Sequence, residues 1–179
     1  TPLPAVHGRV CYHPCESGCN RSQLDTPVSI HAVERYLGDP ATIAGSGGNA
    51  VIVPHAGYVY SGPVAARAYR RLEPARETIH RVVLLGPAHR VWLEGMAVPS
   101  QRAFATPLGQ VPLDRDAIER IAGMPGVQVS DAAHANEHSL EVQLPFLQAV
   151  LEDFSLVPIA VGRCPAAQVG AVIDGLWGG

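Results

Sequence analysis

No apolar stretch in this chain approaches the ~18 consecutive residues that a membrane-spanning helix requires, so no transmembrane span is expected. Thr1-Pro2-Leu3-Pro4 lacks the basic start and apolar centre of a secretory signal, and the expected location is cytoplasmic. Charge is also scarce: 16% of residues are charged, the net charge is −3, and no basic run occurs. A phosphate-backbone partner needs clustered Lys and Arg, so nucleic acid is not an expected ligand, and neither is a membrane. There is no internal repeat and no domain-splitting linker, so residues 1–179 read as one domain, long enough for a sizeable core.

Cysteine is sparse, and the paired C-x2-C spacing of zinc modules is missing. Three of the four cysteines form C-x3-C-x3-C at Cys11, Cys15 and Cys19, with His13 among them. Two readings stay open. Three thiolates and an imidazole can hold zinc or an iron–sulfur cluster, because soft ligands select those metals. The favoured one is three reduced thiols in a Gly-, Pro- and Ser-containing loop of a reducing compartment. Cys164, before Pro165, reads as a lone thiol after a strand.

What the chain has in quantity is alternation of short aliphatic runs with helical patterns. A short helix is expected over Val28 to Leu37, ended by Gly38-Asp39-Pro40, and strands over Ala50–Val53 (buried), Arg81–Leu85, Met96–Val98, around Val111, and over Val127–Val129. Ser61 reads as the cap of a helix with Pro63 in its first turn, and Asp114 as the cap of a helix over Arg115–Ala122. Leu140, Leu144, Leu147 and Leu151 mark one buried helix face, in which Pro145 predicts a kink or a broken hydrogen bond. Leu156–Val161 reads as a strand that Pro158 would place at an edge or a bulge. Ala166–Leu176 reads as a closing helix. The expected class is α/β, a layered α/β/α domain with a mixed, largely parallel sheet.

Two of these strands end in the same way. Ala50-Val51-Ile52-Val53 runs into Pro54-His55-Ala56-Gly57-Tyr58-Val59-Tyr60-Ser61-Gly62, and Val82-Val83-Leu84-Leu85 into Gly86-Pro87-Ala88-His89. Ligands of open α/β sheets collect at the carboxyl ends of strands. Histidine is the commonest metal ligand and the usual acid or base near neutral pH. His55 and His89 are therefore candidates for one shared small-molecule or metal site. Tyr58, Tyr60 and Arg90 are candidate substrate contacts, with Tyr58 also a candidate catalytic hydroxyl. The bland alternatives are a histidine satisfying a strand-end carbonyl, tyrosines packing under a helix, and a solvated arginine. His134-Ala135-Asn136-Glu137-His138 also reads as H-x-x-E-H, the pattern of a zinc peptidase, which requires both histidines on one helix face.

Three stretches together resemble the MEMO family, which includes the protein B component of the AmmeMemoRadiSam system. They are Pro54 to Gly62, Leu85-Gly86-Pro87-Ala88-His89, and Glu137-His138-Ser139-Leu140-Glu141-Val142-Gln143-Leu144-Pro145-Phe146. Val157 to Gly162 resembles the family's following strand, and Pro4 to Arg9 with Tyr12 and Pro14 resembles its N-terminal start. The resemblance implies a LigB-like fold related to the class III extradiol dioxygenases, and iron (zinc as alternative) held by His55 and His89. It makes His138 an acid/base group or a donor behind the ligands, with Glu137 near the positive end of a helix and also a catalytic candidate. Radical-SAM and AMMECR1-type partners follow from the same association, alongside a small-molecule or peptide ligand. The spacing of Cys11, Cys15 and Cys19 is not the radical-SAM signature.

The family's Ser-Asp-Phe-x-His and Cys-Gly segments do not occur here: Asp153-Phe154 is followed by Ser155-Leu156. The fold is thus expected to be incomplete at its C-terminal side, and no third ligand is identified. Metal affinity is expected to be weak unless a carboxylate or Cys19 moves in. Two function classes follow: a metal-dependent redox or dioxygenase-related enzyme, and a non-catalytic ligand- or peptide-binding module. The zinc peptidase is the third.

Overall fold

The computed structural model describes residues 50–177. The chain divides into two units after Pro54, and all regular elements among the described residues belong to the second, His55–Gly179. Cys11, His13, Cys15, Cys19, the N-terminal resemblance and the helix expected over Val28 to Leu37 lie outside the described residues.

In chain order the unit contains α1 (Tyr58–Tyr69), continued by a 3-10 turn over Arg70–Ala75, then β1 (Arg81–Pro87), β2 (Met96–Val98), β3 (Ala103–Thr106) and β4 (Gly109–Pro112). These are followed by α2 (Arg115–Ala122), β5 (Val127–Val129), a 3-10 turn over Asp131–Ala133, α3 (His138–Glu141), α4 (Leu144–Val150), β6 (Ser155–Val161) and α5 (Ala166–Leu176). The main sheet has the order β1-β6-β2-β5, and β3 and β4 form a separate hairpin. β1 runs parallel to β6 and β2 parallel to β5, whereas β2 is antiparallel to β6. The unit is α/β with a mixed, largely parallel sheet.

β6 is the strand on which the unit is built. Leu156 through Ala160 are all buried, as are Met96, Ala97 and Val98 on β2. A strand covered on both faces reads as a continuous apolar run, which is the pattern seen in β6. Each fully buried Leu, Ile or Val side chain contributes about 1.5–3 kcal/mol relative to exposure. α2 adds Ala117, Ile118 and Ile121 to the same core, leaving its charged residues outside. Its cap is the expected one: the Asp114 carboxylate accepts the Ala117 N–H at 2.9 Å and pairs with Arg81 Nε on β1 at 2.6 Å.

Four expectations are corrected. Ala50–Val53 is not a strand: the chain is irregular from residue 50 to His55, and Val51, Ile52 and Val53 are half-buried rather than buried. Apolar, β-branched residues favour extended backbone but do not by themselves specify a strand. Ser61 is not a helix cap. α1 begins at Tyr58 behind Gly57, Pro63 falls inside it, and the buried Ser61 hydroxyl donates back to the Ala56 carbonyl at 2.8 Å.

Pro145 does more than kink a helix. It sits in the first turn of α4, where a missing N–H is harmless, and separates α4 from the short α3. All four leucines of the expected face are nevertheless buried. Finally, Pro158 does not mark an edge: β6 lies between β1 and β2. Backbone groups alternate sides along a strand. Leu156 accepts the Asp114 N–H and Gly162 donates to Gly95, both on the side away from β1. Pro158 shares that parity, and β2 reaches only Ala160 and Val161. The N–H that proline lacks would therefore fall in the gap between the Leu113 bridge at Leu156 and the end of the β2 ladder.

Candidate functional site

β1 carries its chain to His89 by way of Ala88, whose N–H donates to the Val161 carbonyl of β6 at 2.8 Å. One residue beyond the sheet, His89 leaves the ladder. α3 is pressed against the end of β1 because residue 86 is glycine. A Cβ there would stand 2.7 Å from Ser139 Oγ and 2.8 Å from Leu140 Cδ2. Ser139 is buried and its hydroxyl donates to the Pro87 carbonyl at 2.9 Å, tying α3 to the strand. Gln143 continues the attachment by accepting the Tyr69 hydroxyl of α1 at 3.0 Å.

This packing delivers Glu137, the residue capping α3, to His89. Its Oε1 accepts the Ser139 N–H at 3.0 Å and lies 2.8 Å from His89 Nδ1, while Oε2 accepts the His89 backbone N–H. The carboxylate side chain is 1% exposed. Burial by itself would raise its pKa. The hydrogen bonds from the His89 ring, the His89 N–H and the Ser139 N–H, with the charge of His89, outweigh that and hold it at about 2. A buried, ionised carboxylate thus stands behind His89.

Three imidazoles gather in front of it. The ring centroids of His55 and His89 lie 5.2 Å apart, those of His89 and His138 5.0 Å, and those of His55 and His138 6.1 Å. The two histidines expected from the strand-end pattern do converge, although only His89 follows a strand. Burial lowers the His55 pKa, and the neighbouring His89 and His138 lower it further against the opposite pull of Glu137. A partly buried imidazole that disfavours protonation, as His55 does, presents a lone pair, as a metal ligand must. His89, Glu137 and His138 each offer a donor atom within 4.8 Å of the others, a group that can hold a metal ion. Sequence reasoning identified no third donor; the structure places Glu137 and His138 beside His89.

The remaining candidates sit farther out. Tyr58 opens α1, about half exposed, with its ring edge-on to Phe146 of α4 at 5.7 Å. Tyr60 is 84% exposed, and Arg90 is exposed next to His89. The H-x-x-E-H pattern dissolves. Residues 134–137 form a turn rather than a helical face, so the i, i+4 argument does not apply. His134 instead places Nε2 3.1 Å from the Ala97 carbonyl and its ring near Phe104, lining a separate cavity of about 410 Å³ with Gln101 and Asp131. His138 faces His89 in its place.

Comparison with known proteins fits these motifs. A MEMO1 family protein of Methanopyrus kandleri is 44% identical over 141 residues, covering 75% of this chain and 48% of its own length. One from Aquifex aeolicus is 44% identical over 113 residues, covering 63% of this chain and 41% of itself. One from Ignicoccus hospitalis is 48% identical over 114 residues, covering 62% and 39%. The chain therefore spans less than half the length of these relatives. A second family model, dihydropyrimidine dehydrogenase domain II, 4Fe-4S cluster, matches residues 1–45. Pro4 to Pro14, taken from the motifs as a MEMO-like start, fall inside that match and ahead of the MEMO one. The family model described as Memo-like protein matches residues 29–174, with all four residues of the histidine–carboxylate cluster inside it, and the chain belongs to the Memo-like family.

Proposed function

We propose that the second unit holds a metal ion, iron with zinc as the alternative, in a redox or dioxygenase-related pocket built around His55 and His89. The observation that carries this reading is the convergence of three imidazoles on one side of a buried, ionised carboxylate. Iron bound there supplies Lewis acidity and a redox couple. The protein's own residues do the rest. Glu137 and the Gly86–Ser139 contact hold His89 in place, and Arg90 at the rim attracts an anionic group. The Tyr58 hydroxyl, kept protonated by partial burial and the nearby Glu141 charge, is available as a donor to a bound substrate. The substrate class is an aromatic diol or a related small molecule. A radical-SAM or AMMECR1-type partner belongs to the same proposal. Anaerobic titration with Fe(II), followed by oxygen uptake with catechol-type substrates, tests it. One-to-one binding lost in His55→Ala and in His89→Ala is the expected result. Binding without oxygen uptake leaves a ligand-binding module, and no binding to the wild-type chain sinks the metal reading.

A second reading concerns residues 1–45. The C-x3-C-x3-C run of Cys11, Cys15 and Cys19 lies inside the stretch matching the 4Fe-4S model. We propose that these thiolates ligate an iron–sulfur cluster, in preference to the loop of reduced thiols. Anaerobic reconstitution should give visible charge-transfer absorption and bound sulfide that Cys15→Ser abolishes.

A further inference from the structure

The metal-type group at the β1–α3 junction contains one carboxylate, and its hydrogen bonds decide what that carboxylate does. Of roughly four lone-pair positions on a carboxylate, Glu137 has three engaged: Ser139 N–H and the His89 ring on Oε1, and the His89 backbone N–H on Oε2. Its side chain is 1% exposed. His89 meets it with Nδ1, which puts Nε2 on the far edge of the ring. An ion on that Nε2 at ~2.1 Å lies on the order of 6 Å from Oε1, beyond any coordination bond. His138 repeats the orientation: its Nδ1 is 3.7 Å from the same oxygen, and its ring is tilted only 23° from that of His89. In both residues Nδ1 is the ring nitrogen turned toward the carboxylate, which leaves Nε2 on the side of its ring away from it. Two imidazoles on one tetrahedral ion have ring centroids about 5 Å apart. Two of the separations here, 5.0 Å for His89–His138 and 5.2 Å for His55–His89, match that value; the His55–His138 pair, at 6.1 Å, is wider, and His55 stands outside the group whose donor atoms already lie within 4.8 Å of one another.

We propose that Glu137 is not a ligand but the positioning residue that keeps His89 protonated on Nδ1, and that His138 is the third ligand of a three-imidazole site with His55 and His89. This rests on the metal-pocket reading given above and sharpens it. The arrangement is the carboxylate–histidine–metal relay in which the rear carboxylate sets the tautomer and the ring angle.

Two measurements on the full chain test it. Long-range 15N–1H NMR of the metal-free protein reads the His89 tautomer: Nδ1–H is expected, with a larger Nε2–H fraction in Glu137→Ala and restoration toward wild type in Glu137→Gln. A predominantly Nε2–H ring in the wild type overturns the positioning role. Pulsed EPR of the Cu(II)-loaded protein counts bound imidazoles. Three are expected in the wild type and in Glu137→Gln, two in His138→Ala, with affinity falling about 10- to 100-fold in Glu137→Gln. Two imidazoles in the wild type, or an unchanged count in His138→Ala, overturns the ligand set while leaving the metal pocket standing. If the wild type takes up no ion, pocket and ligand set fall together, and the tautomer still decides the part assigned to Glu137.

Discussion

Glycine 86 is where one atom has the largest leverage. It is buried at the end of β1, with Ser139 Oγ and Leu140 Cδ2 already closer to its missing Cβ than ordinary contacts permit. Gly86→Ala should destabilise the protein by about 1–3 kcal/mol, the usual cost of overpacking, read as a lower urea midpoint at unchanged slope. The same push moves α3 away from β1, so metal affinity should fall with stability. Titration adds a second residue-scale expectation. Glu137 has a native pKa of about 2, below its unfolded value, so the folded state binds fewer protons than the unfolded one as acid is added. Its contribution is complete above about pH 5 and is lost as the pH falls toward 2. His134 and His55, both lowered first by burial, act in the same direction from about pH 6.5 downward. Thermal melts of metal-free protein should show Tm falling below pH 6.5 and faster below pH 4.5, and Glu137→Gln should flatten the acid limb. A wild-type Tm that stays level between pH 5 and 3 would contradict the ionised, hydrogen-bonded carboxylate. Nothing in the local sequence announces this pair, because Glu137 and His89 are 48 positions apart.

Elements show which signals were local. Asp114 as a cap, the strands at Arg81, Met96 and Val127, and the closing helix were legible because each depends on neighbours within a turn or on an unbroken aliphatic run. Asp114 also ties its helix to the sheet through Arg81. Asp114→Ala should therefore cost about 1–2 kcal/mol in chemical denaturation, mostly the cap. Asp114→Asn, which keeps the cap and gives up the ion pair, should cost less than about 1 kcal/mol. Equal losses in the two variants would reverse that order. Pro158 misled because whether a strand is central or marginal depends on which other backbone lies beside it. Pro158 survives in the middle of the sheet because its missing donor meets a gap between partners. The helix face at Leu140–Leu151 was readable as a face, but its division into α3 and α4 turns the first segment so that Glu137 can cap it.

At the level of the molecule, the two proposed chemistries fall on two segments. His55, His89, Glu137 and His138 all follow Pro54, whereas three of the four cysteines precede it. Removing residues 1–49 should leave the stoichiometry of metal binding at the histidine cluster unchanged while eliminating any iron–sulfur absorption. A cluster site that disappears with residues 1–49 would show that its ligands are not confined to the second unit. No helix among the described residues is long and apolar enough to cross a membrane.

The amino-acid order alone determined the α/β class, the family-type motifs and the two histidines worth watching, since runs, caps and short motifs are properties of neighbours in the chain. Tertiary structure decided which groups face one another. It turned His134 to a carbonyl and brought His138 to His89. It also set a buried carboxylate behind the cluster, because close approach at Gly86 joins two segments that are remote in sequence.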